Sequence, residues 1–208
     1  MSAQFSIFVI LVILVVGWFA LGTHINVRKG HDAMRWLQSG LPAIGEKTTL
    51  RWLGSSVLQL QIEKAHPPFR RAEVLVVLEP RDVPPLWLLS RLQGRRDMLI
   101  VRAELQTLPR MRFELLDRNG WGTKRVEGEV KQQGWQPIPM SNPTLSLFAP
   151  QPVPNVSELL AVAQAQVPLV RLGVREQNNA VEIQWRLPSN DVSARSVFES
   201  VQRIARSV

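Results

Sequence analysis

Hydrophobic and polar positions divide this chain into one long apolar run and a series of short periodic segments. The run is Phe5–Leu21, 17 residues without a charge. In hydrocarbon every backbone N–H and C=O must be bonded internally, so such a run is expected to be a helix. Extended from Ala3 to Thr23 it reaches the roughly 20 residues that span a ~30 Å hydrocarbon core. Its lipid-facing apolar members are Phe5, Ile7, Phe8, Val9, Ile10, Leu11, Val12, Ile13, Leu14, Val15, Val16, Trp18, Phe19 and Leu21. Trp18 stands near the C-terminal end, where an indole prefers the interface. Residues 1–23 are read as a transmembrane anchor. The alternative, a cleaved signal peptide, lacks its basic leading segment, because Met1–Gln4 carries no Lys or Arg. The nearest cleavage motif is Ala20-Leu21-Gly22.

The pattern then changes. Residues 24–43 read as a juxtamembrane segment, with Asp32 capping a short helix that carries Met34, Trp36 and Leu37 and stops at Gly40 and Pro42. Residues 44–134 are strand-rich. Leu58, Leu60 and Ile62 alternate with polar neighbours, and Ala72–Leu78 is apolar on both faces, as a central strand would be. Pro84-Pro85 opens a short helix with Leu86, Trp87, Leu89 and Leu92 that Gly94 closes. Two further alternating runs, Leu99–Leu105 and Met111–Leu116, predict strands, with a turn at Asp117–Gly120. Arg125–Val130 is a weaker strand candidate. Residues 135–154 hold six prolines from Pro137 to Pro154 and read as an extended connection, with a strand possible at Thr144–Phe148. Residues 155–208 predict a helix after Asn155 and Glu158 in capping-box spacing, then a hairpin turning at Asn178-Asn179. A C-terminal amphipathic helix follows, with Val197, Phe198, Val201, Ile204, Ala205 and Val208 on one face. The expected class is α+β: a single N-terminal transmembrane helix, a strand-rich α+β region, and a C-terminal helix–hairpin–helix part.

Charge adds a direction. The net charge is +8, and Arg outnumbers Lys 20 to 5. Residues 24–134 hold 19 basic and 12 acidic side chains, against 6 and 5 in residues 135–208, so the excess lies in the half next to the run. Arg28, Lys29 and Arg35 follow the run closely, and no basic side chain precedes it. By the positive-inside rule the N-terminus lies outside a plasma (inner) membrane and the bulk in the cytoplasm. Anionic headgroups attract such an excess. Nucleic acid is the rival ligand, but no nucleic-acid-binding module is recognisable, and none is expected to bind. Two basic clusters stand beside apolar residues, Arg70 and Arg71 after Phe69, and Arg91, Arg95 and Arg96 after Trp87. With Arg28, Lys29, Arg35 and Trp36 they form the candidate lipid or partner surface. A Trp-Leu tip ringed by arginine could enter headgroups; a helix that simply covers the sheet is the alternative.

Candidate chemistry is sparse. Without cysteine there is no disulfide, thiolate nucleophile or Cys-based metal site. His24, His31 and His66 have no ligand-like spacing, so no metal and no cofactor is expected. Gly40-Leu41-Pro42-Ala43-Ile44-Gly45-Glu46-Lys47-Thr48 resembles the P-loop of nucleotide-binding proteins. Glu46, however, displaces the lysine and adds negative charge where phosphates would sit, so turn chemistry is the better reading. No Gly-x-Ser-x-Gly is present, and acid pairs such as Asp82 with Asp97, or Glu127 with Glu129, are read as solvated charge. No catalytic residues are assigned. The general look is that of bacterial single-pass membrane proteins, with no motif diagnostic of a named family. The chain is therefore expected to be a membrane-anchored, non-catalytic accessory module that docks a protein partner or membrane complex. An anionic-lipid surface module is the first alternative and an enzyme of unrecognised chemistry the second.

Overall fold

A computed structural model describes residues 3–189 and 191–208. Helix α1 runs without a break over Ala3–Ile44. Strands β1 (Gly45–Leu53), β2 (Val57–Ala65) and β3 (Phe69–Val77) form a meander, followed by α2 (Pro84–Leu92), β4 (Met98–Leu105) and β5 (Phe113–Asp117). Next come α3 (Thr123–Gln132), β6 (Gln136–Ile138), β7 (Leu145–Ala149), α4 (Val156–Gln164), β8 (Leu169–Arg175), β9 (Ala180–Arg186) and α5 (Ala194–Ser207). The architecture is α+β.

All nine strands join one antiparallel sheet in the order β1-β2-β3-β4-β9-β8-β5-β7-β6. The β8–β9 hairpin turns where Asn178 and Asn179 both adopt positive φ, a conformation Asn tolerates better than most residues. It is wedged between β4 and β5, so a single sheet carries strands from both the first and the last parts of the chain.

The sheet has two unlike faces. On one, Leu58, Leu60, Val74, Val76, Val101, Leu115, Leu172 and Ile183 pack with Leu37 of α1, Leu159 of α4, and Val197, Phe198, Val201 and Ile204 of α5. Burying these side chains contributes about 1.5–3 kcal/mol each for a Val, Leu, Ile or Phe. Trp185 lies in this core and gives its indole N–H to the Ala163 carbonyl, 2.8 Å away, which ties β9 to α4. The other face is mostly polar. It carries a small apolar cluster of Leu75, Met98 and Ile100, and another where Val130 of α3 covers Leu116 and Phe148.

Four expectations are corrected. Residues 24–43 are not a separate short helix: Asp32 sits mid-helix and bonds Arg35, because one face of the whole segment is bound into the domain. Arg125–Val130 is helical, not a strand, held by Arg125–Glu129 and Lys131–Glu127 pairs four residues apart. Asn155 makes no side-chain cap, because its own backbone is left-handed (φ 55°). The proline-rich stretch is not merely a connection, since besides β7, at the Thr144–Phe148 candidate, it supplies the edge strand β6, where the missing N–H of Pro137 is tolerated.

Candidate functional site

One helix, near the N-terminus, is long and apolar enough to cross a membrane. Its first half is largely exposed from Phe5 to Leu21, with Trp18 reaching the domain near its end. Its second half is built into the domain through Gly22, Asn26, Gly30, Ala33, Leu37, Gly40 and Ile44, spaced three or four apart on one helical face. Small residues on that face let backbones approach closely. A Cβ on Gly22 would lie 2.2 Å from the Arg81 carbonyl oxygen, and one on Gly40 would lie 2.6 Å from the Ala194 backbone.

Where the bare half meets the domain, a buried polar lock holds the helix. Asn26 is fully buried. Its amide donates to the Glu79 carbonyl at 3.1 Å and to Ser56 at 3.2 Å, and its oxygen accepts from Arg81 at 3.1 Å. Arg81 also donates through both terminal nitrogens to Asp97, each at 2.9 Å. Asp97 accepts further from Lys29 of α1 and from the Glu79 amide, both at 2.8 Å. Burial works against the charged form of Asp97, but these donors prevail and hold its pKa below the usual carboxylate value.

Beside the lock lies α2. Pro84 and Pro85 occupy its first turn, where a missing N–H costs nothing. Trp87 and Ser90 face the domain, and Trp87 donates its indole N–H to the carboxylate of Glu79 at 2.7 Å. Arg91 lies 3.5 Å from the same carboxylate and 5.5 Å above the Trp87 ring. Trp18 of α1 donates to the Arg81 carbonyl at 2.9 Å, and its ring centroid is 6.0 Å from that of Trp87. The outward face of α2 is apolar: Leu86 is 47% exposed, Leu88 55%, Leu89 54% and Leu92 78%. The Trp18–Trp87 contact thus brings the apolar half of α1 beside α2 and its exposed leucines.

The proposed surface residues do not form one patch. Arg91, Arg95 and Arg96 gather at the end of α2, where Arg96 donates to the Arg91 and Arg95 carbonyls and Arg95 stacks 4.9 Å over Trp121. Lys29 is spent on Asp97 and Arg35 on Asp32. Trp36 packs on the domain and donates to the Val192 carbonyl at 2.6 Å. Arg28 stays exposed. Arg70 and Arg71 lie at the opposite end of β3, roughly 20 Å away at strand rise, and Arg70 pairs with Glu104 at 3.1 Å.

Arg71 and Glu104 border a second feature. An open concavity of about 610 Å³ lies at the far end of β2, β3, β4 and β9, lined in part by Glu63, Arg71, Glu73, Arg102 and Glu182. From it a ladder of charge crosses the sheet: Arg102 to Glu182 at 2.9 Å, Glu182 to Arg171 at 3.0 Å, Arg171 to Glu114 at 2.9 Å, and Glu114 to Arg175 at 2.7 Å. Glu114 is fully buried. Burial opposes the charged form of Glu182, but Arg171 and Arg102 hold its pKa below the usual carboxylate value. Among the described residues no group of three or more His, Asp or Glu side chains is placed to hold a metal ion. The P-loop-like stretch is the joint between α1 and β1, and Lys47 there pairs with Glu63 at 2.6 Å.

No protein-family model matches the chain, and no curated protein is similar to it. Sequence reasoning missed the lock. Asn26, Glu79, Arg81 and Asp97 are unremarkable singly and far apart along the chain. The row of small residues from Gly22 to Gly40 was the one available signal.

Proposed function

We propose that this protein is a membrane-anchored interaction module in which α1 serves both as the span and as part of the folded core. The observation that carries this reading is the helix itself, bare and apolar up to Leu21 and bound into the domain from Gly22 onward. Its 19 exposed-half residues, Ala3–Leu21, rise about 28 Å, close to a ~30 Å hydrocarbon core. Because there is no linker between span and domain, the lock sets the angle at which the sheet stands on the bilayer. Such rigidity suits a module that must present one surface to a partner in the same membrane. That surface is the polar face of the sheet, with its concavity and charge ladder, which the helices of the main core leave uncovered. Arg28, Lys29 and Arg35 support a cytoplasmic side for the domain by the positive-inside rule; the rule acts on the inserting chain, so the later pairing of Lys29 and Arg35 does not alter it.

Two measurements test this. In cells, the chain should resist alkaline carbonate extraction and keep residues before Gly22 in mass spectra of the mature protein. Extraction, or a mature chain beginning after Ala20, overturns the anchor. Single cysteines at Arg71 and at Arg206, on opposite sides of the sheet, should then crosslink differently in native membranes, with a discrete adduct from Arg71→Cys alone. Equal crosslinking from both overturns the docking face.

A further inference from the structure

Helix α2 is inside out. In a helix on the surface of a soluble domain the apolar side faces the core and the polar side faces water. Here Trp87, through its indole N–H, and Ser90, with its hydroxyl, turn inward, while Leu86, Leu88, Leu89 and Leu92 turn outward with Val83 at the helix start. Trp87 is held in that orientation by Glu79, a carboxylate only 3% exposed, so the inversion is built in and is not a frayed end.

The position of α2 says what covers the leucines. Trp18 meets Trp87, and Gly22 rests on Arg81, directly before α2. The helix therefore stands level with residues 18–22 of α1. Counting ~1.5 Å per residue from Ala3 puts the far boundary of a ~30 Å hydrocarbon core at the same level. Trp18 and Trp87 bring the apolar half of α1 beside this face, and the charges at its C-terminal end are basic, while the partly exposed Asp82 precedes its N-terminus. Arg91 is exposed at the end of α2 and Arg96 is half-exposed beside it, whereas Glu79 and Asp97 are buried in the lock and Asp82 accepts from Ser55. Leucines below and arginines at headgroup level are the arrangement of a helix lying in the interface.

We propose that α2 is a second membrane contact, lying in the plane of the leaflet beside the span, with its leucines in the acyl–headgroup boundary and Arg91 and Arg96 against lipid phosphates. This rests on the anchoring reading above. The span alone leaves the domain free to rotate about α1; α2 removes that freedom and gives the sheet one fixed bearing to the bilayer.

The absence of native cysteine makes site-specific labelling straightforward. The full chain is reconstituted in phosphatidylcholine–phosphatidylglycerol liposomes with one nitroxide, at Leu88→Cys, Val12→Cys or Leu108→Cys, the last an exposed loop position outside α2. Collision with oxygen is compared with collision with a water-soluble nickel chelate. The oxygen-to-nickel ratio should be several-fold higher at Leu88 than at Leu108 and should approach that at Val12. A Leu88 label in water with the Val12 label in lipid overturns this inference alone and leaves the leucine face to a protein partner. A Val12 label in water overturns the anchoring reading with it. All three positions are exposed, so labelling does not threaten the fold.

Discussion

Asp97 gathers the charge of three elements, accepting from Arg81, from Lys29 of α1 and from the Glu79 amide. Its side chain is 11% exposed and that of Arg81 14%, so removing one partner strands the other in a poorly solvated place. Asp97→Asn should cost about 3 kcal/mol, the range for breaking a buried pair, read as a lower denaturant midpoint in detergent. The same residue predicts an acid limb. Its folded pKa lies below the unfolded value, so the unfolded chain binds more protons as pH falls. The stabilisation is complete above the unfolded value of about 4 and is lost as pH drops through the folded one. Glu182 contributes in the same direction. Stability should therefore hold steady from neutral pH downward and decline below about pH 4, with a shallower decline in Asp97→Asn. At Gly128 the opposite effect is expected. It sits inside α3, and a methyl group added there would meet nothing within 4 Å. Gly128→Ala should add about 0.5–1 kcal/mol by helix propensity.

At the scale of elements, two helices form the core by different means. The helix α5 does so with large side chains, Val197, Phe198, Val201 and Ile204, a pattern plain in the sequence because hydropathy and period agree. Phe198 is fully buried, and Phe198→Ala should cost about 3–5 kcal/mol, seen as a fall in thermal midpoint. The second half of α1 does so with small ones, and hydropathy is blind to them. Gly40→Ala would push its methyl against the Ala194 backbone and should cost about 1–3 kcal/mol, as overpacking does. A destabilisation near zero would mean that α1 and α5 can move apart freely. Helix α3, whose sequence reads as a strand, was legible in principle. Arg125–Glu129 and Glu127–Lys131 are paired at helical spacing, but Gly128 and the valines at 126 and 130 imitate alternation over so short a stretch.

For the whole molecule, the domain begins inside the long helix, at Gly22, and not after its end at Ile44. A chain lacking residues 3–19 should keep its fold, as measured by circular dichroism, and should self-associate through the uncovered leucines of α2. A chain beginning at residue 44 should lose cooperative unfolding, because Ala33 and Leu37 belong to the main core and Trp36 packs against it. Equal cooperativity in the two would contradict the structure. By itself the sequence determined that one long apolar helix stands near the N-terminus, since 17 successive residues carry no charge. It determined most strands and the two C-terminal helices, because their periods depend on neighbours a few positions away. Tertiary structure alone decided that α1 continues into the core, that Asn26, Arg81 and Asp97 meet, and that the leucines of α2 face outward. Those facts join residues far apart along the chain, such as Asn26 with Asp97 and Trp36 with Val192, 156 positions away, and they turn on which small side chain leaves room for which backbone. Local hydrophobic period carries no record of that.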